Sequence, residues 1–215
     1  MKQDADTFSI GRTTRVCPCH ACAFFTSKEE EYRVMLPFMA EGLEAGDKLV
    51  HILDQNLRGE WLTRLTGAGI DAAKAERSGQ LEVLAWEQAH VVDGYFDQHR
   101  MLASLERAFA EDDKRYKATR LWSNQEWALQ ALPGVTDLIE YESRYNLIWP
   151  NHNGVTICAY DATKFSSEVM MGMLRTHPFV IVDSMARENP FYVPPEELLK
   201  EMRGSGYKPA RLTTQ

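Results

Sequence analysis

No apolar run in this sequence approaches the roughly 20 residues that span a bilayer; stretches such as 179–182 end after a few positions. The opening MKQDADTFSIGRTTR lacks the apolar centre of a secretory signal. Without an export signal, the four cysteines read as reduced thiols rather than a disulfide framework. Clustered lysine and arginine are missing as well. A formal charge of −7 and a pI near 5.4 argue against a nucleic-acid surface. No G-x-x-x-x-G-K-[ST] and no G-x-G-x-x-G occurs anywhere, so neither familiar way of cradling phosphate is present. These absences point to a cytoplasmic globular protein with no direct nucleic-acid or membrane partner.

What is present is a chain that is 44% hydrophobic and long enough for one buried core. Residues 1–14 read as a polar, flexible arm, 15–203 as a single domain and 204–215 as a tail. Within the domain, strand-like segments at 16–25, 48–53, 81–86, 119–122, 155–160 and 179–182 alternate with helix-like ones. The helices are expected from Ser27 onward, at 57–65, 93–110, 136–149 and 166–174, and at 195–203. Ser27 with Glu30 reads as a capping box, Pro37 as a kink, and Gly42 and Gly46 as candidate stops. This alternation predicts an α/β fold, a mostly parallel sheet flanked by helices on both faces.

The segment RVCPCHACAFFTSKEEE concentrates the chemistry. Cys17, Cys19, His20 and Cys22 are all metal-ligand types, but the spacing lacks the histidine of a haem-attachment motif and a second zinc-ligand pair. Side chains alternate along a strand, so His20 and Cys22 share one face while Cys19 points away. Cys158, on the fifth strand, joins them only if the two strands are neighbours. The loop Thr26, Ser27, Lys28 has no glycine, and Glu29, Glu30 and Glu31 follow it. They suit the positive end of a helix dipole and repel a triphosphate. An ATPase is not expected, nor any other enzyme.

The series HACAFFTSKEE, LPFMAEGLEAGDKLV, GQLEVL, YFDQHRML, RLWSNQEW, YESRYN, CAYD and HPFVI resembles the MEDS family, sensory domains of methanogen proteins and of a dichloromethane-responsive regulator. The resemblance covers about 16–192 and implies a RecA/KaiC-like core whose phosphate loop has degenerated. It also implies sensing of a small, apolar, hydrocarbon-derived ligand in prokaryotic signalling. The short flanks imply a stand-alone sensor acting through a regulatory protein partner such as a kinase or transcription factor, with a homo-oligomer as a further expected partner. His20 and Cys22 match the family's H-x-C, and Cys158 and Asp161 its C-x-Y-D. Cys17 and Cys19 inherit no role.

In an open α/β sheet, ligands bind beyond the carboxyl ends of the strands. That rule nominates Phe24, Phe25, Ser27, Glu126, Trp127, Tyr160 and Asp161 as ligand-binding, with His20 and Cys22 behind them. The aromatics would line an apolar pocket and an acid would anchor it. No cofactor is expected on this reading. The alternative is a metal or thiol-redox sensor that uses His20, Cys22 and Cys158 with zinc, iron or another transition metal. Arg120 reads as a surface ion pair, His177 as a turn residue and His51 as a hydrogen-bonded core or edge histidine.

Overall fold

The computed structural model describes residues 7–10, 13–16 and 19–204. Cys17 and the expected tail beyond Gly204 lie outside these residues. Strands β1 (Thr7–Ile10) and β2 (Thr13–Val16) pair antiparallel. The polar composition of the arm did not announce this pair; Phe8 and Ile10 hold it down by being buried against the main core.

The main sheet contains β3 (Cys19–Phe25), β4 (Lys48–Leu53), β5 (Leu81–Ala85), β6 (Thr119–Asn124), β7 (Gly154–Asp161), β8 (Phe179–Val182) and β9 (Met185–Glu188). Their order is β5-β4-β6-β7-β3-β8-β9, and every pairing is parallel except β8 with β9. Asp183 and Ser184, both at positive φ, form the two-residue turn between those last two strands. The charged edge strand MARE lacks an apolar pattern, which is why the sequence shows only its partner.

Helices α1 (Lys28–Ala45), α2 (Arg58–Gly67) and α3 (Ala72–Ser78) cover one face. The other face carries the short α4 (Trp86–Ala89), α5 (Gln98–Asp112), α6 (Leu138–Ile148) and α7 (Ser167–Thr176), with α8 (Pro195–Arg203) packed on α6. Strand alternation divides β3 between the two cores. Cys19, Ala21, Ala23 and Phe25 belong to the α1 side, and Cys22 and Phe24 to the α6 side. Among the described residues, no helix is long and apolar enough to cross a membrane.

Helix α1 starts where Ser27 Oγ accepts the Glu30 N–H, worth about 1 kcal/mol. The reciprocal bond shifts by one residue, because Glu30 Oε2 accepts from Thr26 N–H and from Thr26 Oγ1 instead. The helix runs through Pro37 and ends at Gly46, which adopts the left-handed conformation. Gly42 is no stop. It lies inside the helix, where a Cβ would sit 2.7 Å from both Arg120 Cδ and Leu49 Cδ2. Arg120 is likewise no surface residue: it is buried between Phe8 and Phe38 and paired with Asp47.

Candidate functional site

Four strongly chemical side chains meet in the core between the sheet and α6. His20 comes from β3 and Cys158 from β7, which are adjacent, with Cys22 opposite Cys158 in register. Glu142 comes from α6 and His177 from the residue after α7. All four are buried, and their candidate donor atoms lie within 4.8 Å of one another. His20 Nε2 is 3.4 Å from Glu142 Oε2 and His177 Nε2 is 3.6 Å from the same oxygen. Cys158 Sγ is 3.6 Å from His20 Nε2 and 3.8 Å from Glu142 Oε2.

Burial dominates the acid–base character of this group. It lowers the pKa of His20 to about 4, against a smaller opposing effect of the Asn146 hydrogen bond. Burial, assisted by neighbouring His20, lowers that of His177 to about 3. It also raises the Glu142 carboxyl and pushes the Cys158 thiol well above its ordinary value. The His–Glu contacts are therefore approaches of neutral imidazoles to a carboxyl group rather than ion pairs. Tyr160 O–H reaches Glu142 Oε1 at 3.4 Å and Met173 Sδ at 3.0 Å, and the His20 and His177 rings lie 4.1 Å apart.

Only part of this group was visible in the sequence. His20 and Cys158 do come together, as the adjacency of their strands requires. Cys22 shares their face, but its thiol points at the Phe179 carbonyl, 3.7 Å away. Glu142 and His177 were missed. A signal for Glu142 exists, because it interrupts the buried stripe Leu138, Tyr141, Tyr145 at helical spacing. His177 carries no local signal; the turn reading is corrected by its complete burial against His20.

The expected rim residues are distributed differently. Phe24 and Phe25 face opposite sides of the sheet, so they do not line one pocket; Phe25 stacks on Trp122. Trp127 is fully buried, stacked on His90 at 4.6 Å. Ser27 caps α1, and Asp161 accepts from Thr163 N–H and pairs with Lys164. Glu126 pairs with Lys28 at 3.3 Å, and Lys164 lies 3.9 Å away. Tyr160 belongs to the interior group.

The β3–α1 loop differs from a glycine-rich phosphate loop. It has no glycine, and the Glu30 carboxylate already occupies the Thr26 N–H that would face a phosphate. Glu31, the third acid, is buried rather than solvated, accepting from Trp122 Nε1 and Asn124 Nδ2.

The family model for MEDS, the MEthanogen/methylotroph, DcmR Sensory domain, matches residues 19–178. The chain belongs to the MEDS family. The match runs from the first residue of β3 to the residue after His177, so all four members of the buried group lie inside this sensory domain. The transcriptional repressor DcmR of Methylorubrum extorquens is 28% identical over 160 residues, 74% of this chain. The match spans 57% of that relative's length. A crystal structure of a KaiC-like protein from Pyrococcus horikoshii superimposes with a TM-score of 0.56 at 17% identity, covering 81% of this chain and 72% of the other. The MEDS domain here has the expected RecA/KaiC-like α/β fold.

Proposed function

We propose that the protein is the sensing part of a prokaryotic transcriptional regulatory system, acting in the cytoplasm without catalysis. Its signal is a small hydrocarbon derivative held in the interior beside Glu142 and Cys158. The observation that carries this reading is a cavity of about 10 Å³ between the sheet and helices α5 and α6. Ile52, Met101 and Leu121 form its apolar wall, and Tyr145, Glu142 and Cys158 its polar end. Space of that size holds about one water. A ligand of one or two carbons therefore enters only as a helix gives way. That displacement is what a partner, a transcription factor or a kinase, would read.

The repressor activity of DcmR supports the regulatory half of the reading. The glutamate-filled β3–α1 turn supports a degenerate phosphate loop on a nucleotide-type framework. The interior is favoured over the strand-end rim because Glu126 and Asp161 are already engaged by Lys28 and Lys164.

Thermal unfolding with a panel of short chlorinated and aromatic hydrocarbons tests the reading. At about 100 times Kd a ligand adds about 2.7 kcal/mol, or roughly 5–10 °C for a domain of this size. Leu121→Phe, which fills the cavity, should abolish the shift while Glu126→Gln leaves it intact. A shift lost in Glu126→Gln and kept in Leu121→Phe would return the site to the rim, and no shift with any compound would refute the ligand class.

A further inference from the structure

The buried group has an imbalance of acceptors. Asn146 Nδ2 donates to the carbonyls of Glu142 and Thr176, so Asn146 Oδ1 is the atom facing His20 Nδ1 at 3.0 Å and accepts its proton. His177 Nδ1 faces the Met173 carbonyl and Thr176 Oγ1, both at 2.8 Å; the carbonyl can only accept, and Thr176 Oγ1 gives its own proton to that carbonyl. Each ring thus carries its proton on Nδ1, and each Nε2 is a bare lone pair. Both lone pairs converge on Glu142 Oε2, a third acceptor. The Cys158 S–H serves one of the three at most. His177 Nε2, completely buried, has no hydrogen-bond partner among the described residues.

We propose that His20, Glu142, Cys158 and His177 form a tetrahedral site for a divalent first-row transition ion, zinc being the ion the donor set favours. Two imidazole nitrogens, one carboxylate oxygen and one thiolate are all zinc ligands, with bonds of about 2.0–2.3 Å. A regular tetrahedron with those bonds has edges of about 3.3–3.6 Å. Four of the six edges are 3.4, 3.6, 3.6 and 3.8 Å and all six lie within 4.8 Å, so a small contraction brings the donors to coordination distance. Asn146 and the Met173 carbonyl hold the two rings by their far nitrogens, the outer support that metal-binding histidines normally have. Binding releases the Cys158 proton to solvent, along with any proton on Glu142. The two resulting anions neutralise the dication, so the interior gains no net charge. The rival occupant is a proton, held on Glu142 and donated to His177.

The donors overlap the sensing site proposed above, but metal content and ligand-induced stabilisation are separate readouts, so either reading can fail alone. The full chain, expressed without a histidine tag and purified without chelators, should contain about one equivalent of metal by mass spectrometry. After chelation, cobalt(II) should restore it with the visible d–d bands of a tetrahedral site and a thiolate charge-transfer band. Cys158→Ser and His177→Ala should lower cobalt affinity at least about 100-fold. Asn146→Ala should lower it about 10–100-fold. Cys22→Ser, whose thiol points elsewhere, should retain full loading. Circular dichroism reports whether each variant folds, and Glu142→Gln substitutes for one that does not. Wild-type protein with less than about a tenth of an equivalent and no cobalt spectrum would overturn the proposal in favour of the proton. Full loading in both Cys158→Ser and His177→Ala would place the ion elsewhere and overturn it equally.

Discussion

Arg120 and Asp47 form a buried ion pair, with Arg120 Nε donating to Asp47 Oδ2 at 2.8 Å and both side chains nearly inaccessible to water. A second guanidinium nitrogen donates to the Phe38 carbonyl, which ties the middle of α1 to β6. Asp47→Ala leaves a guanidinium buried without its anion. The expected loss is about 3–5 kcal/mol, measured as a fall in the urea midpoint at unchanged slope. A loss below about 1 kcal/mol would mean that Glu41, 3.5 Å from the same arginine, takes over the pairing.

Gly42 is the glycine that gives this arginine room. Helix propensity alone predicts that Gly42→Ala stabilises α1 by about 1 kcal/mol. The contacts at 2.7 Å with Arg120 and Leu49 predict the opposite. Overpacking of this kind costs about 1–3 kcal/mol, so a net destabilisation is expected in denaturant titration. A more stable variant would show that the arginine moves aside freely.

Glu31 holds two buried donors, Trp122 Nε1 at 3.1 Å and Asn124 Nδ2 at 2.6 Å. Glu31→Ala strands both, at about 1–3 kcal/mol each. Glu29→Ala, on the exposed side of the same turn, should change stability by less than about 1 kcal/mol. Equal effects of the two substitutions would reduce Glu31 to a helix-dipole partner.

His51 makes folding sensitive to acid. Its Nε2 donates to Asn124 Oδ1 at 2.9 Å, while Nδ1 has no partner among the described residues. Burial lowers its pKa from 6.5 to about 4, the Asn124 bond opposing. Between those values the unfolded chain takes up a proton that the folded chain refuses, so stability falls as pH drops from 6.5 to 4 and then levels. The full effect is on the order of 3 kcal/mol. In His51→Gln, the difference in unfolding free energy between pH 7 and pH 4 should shrink by about that amount. An unchanged difference would assign the acid sensitivity to other groups.

The fold was largely legible because periodicity and punctuation act locally. Strand β3 and helix α1 show their alternation and helical stripe within a few residues, and Ser27 and Gly46 mark the helix ends. Strand β9 and the β1–β2 pair were not legible, since short polar strands gain their stability from the neighbours they pair with.

By itself, the sequence determined the alternating α/β plan, the two faces of β3, and the absence of a glycine-rich phosphate motif. Each of these follows from residue order over one turn or one strand. Only the tertiary structure decided that β7 lies beside β3, that α6 lowers Glu142 onto that pair, and that the end of α7 brings His177 to the same oxygen. Those four residues span 20 to 177 in the chain, and no local pattern encodes such a distance. It is settled by how the sheet orders its strands and how the helices pack on it.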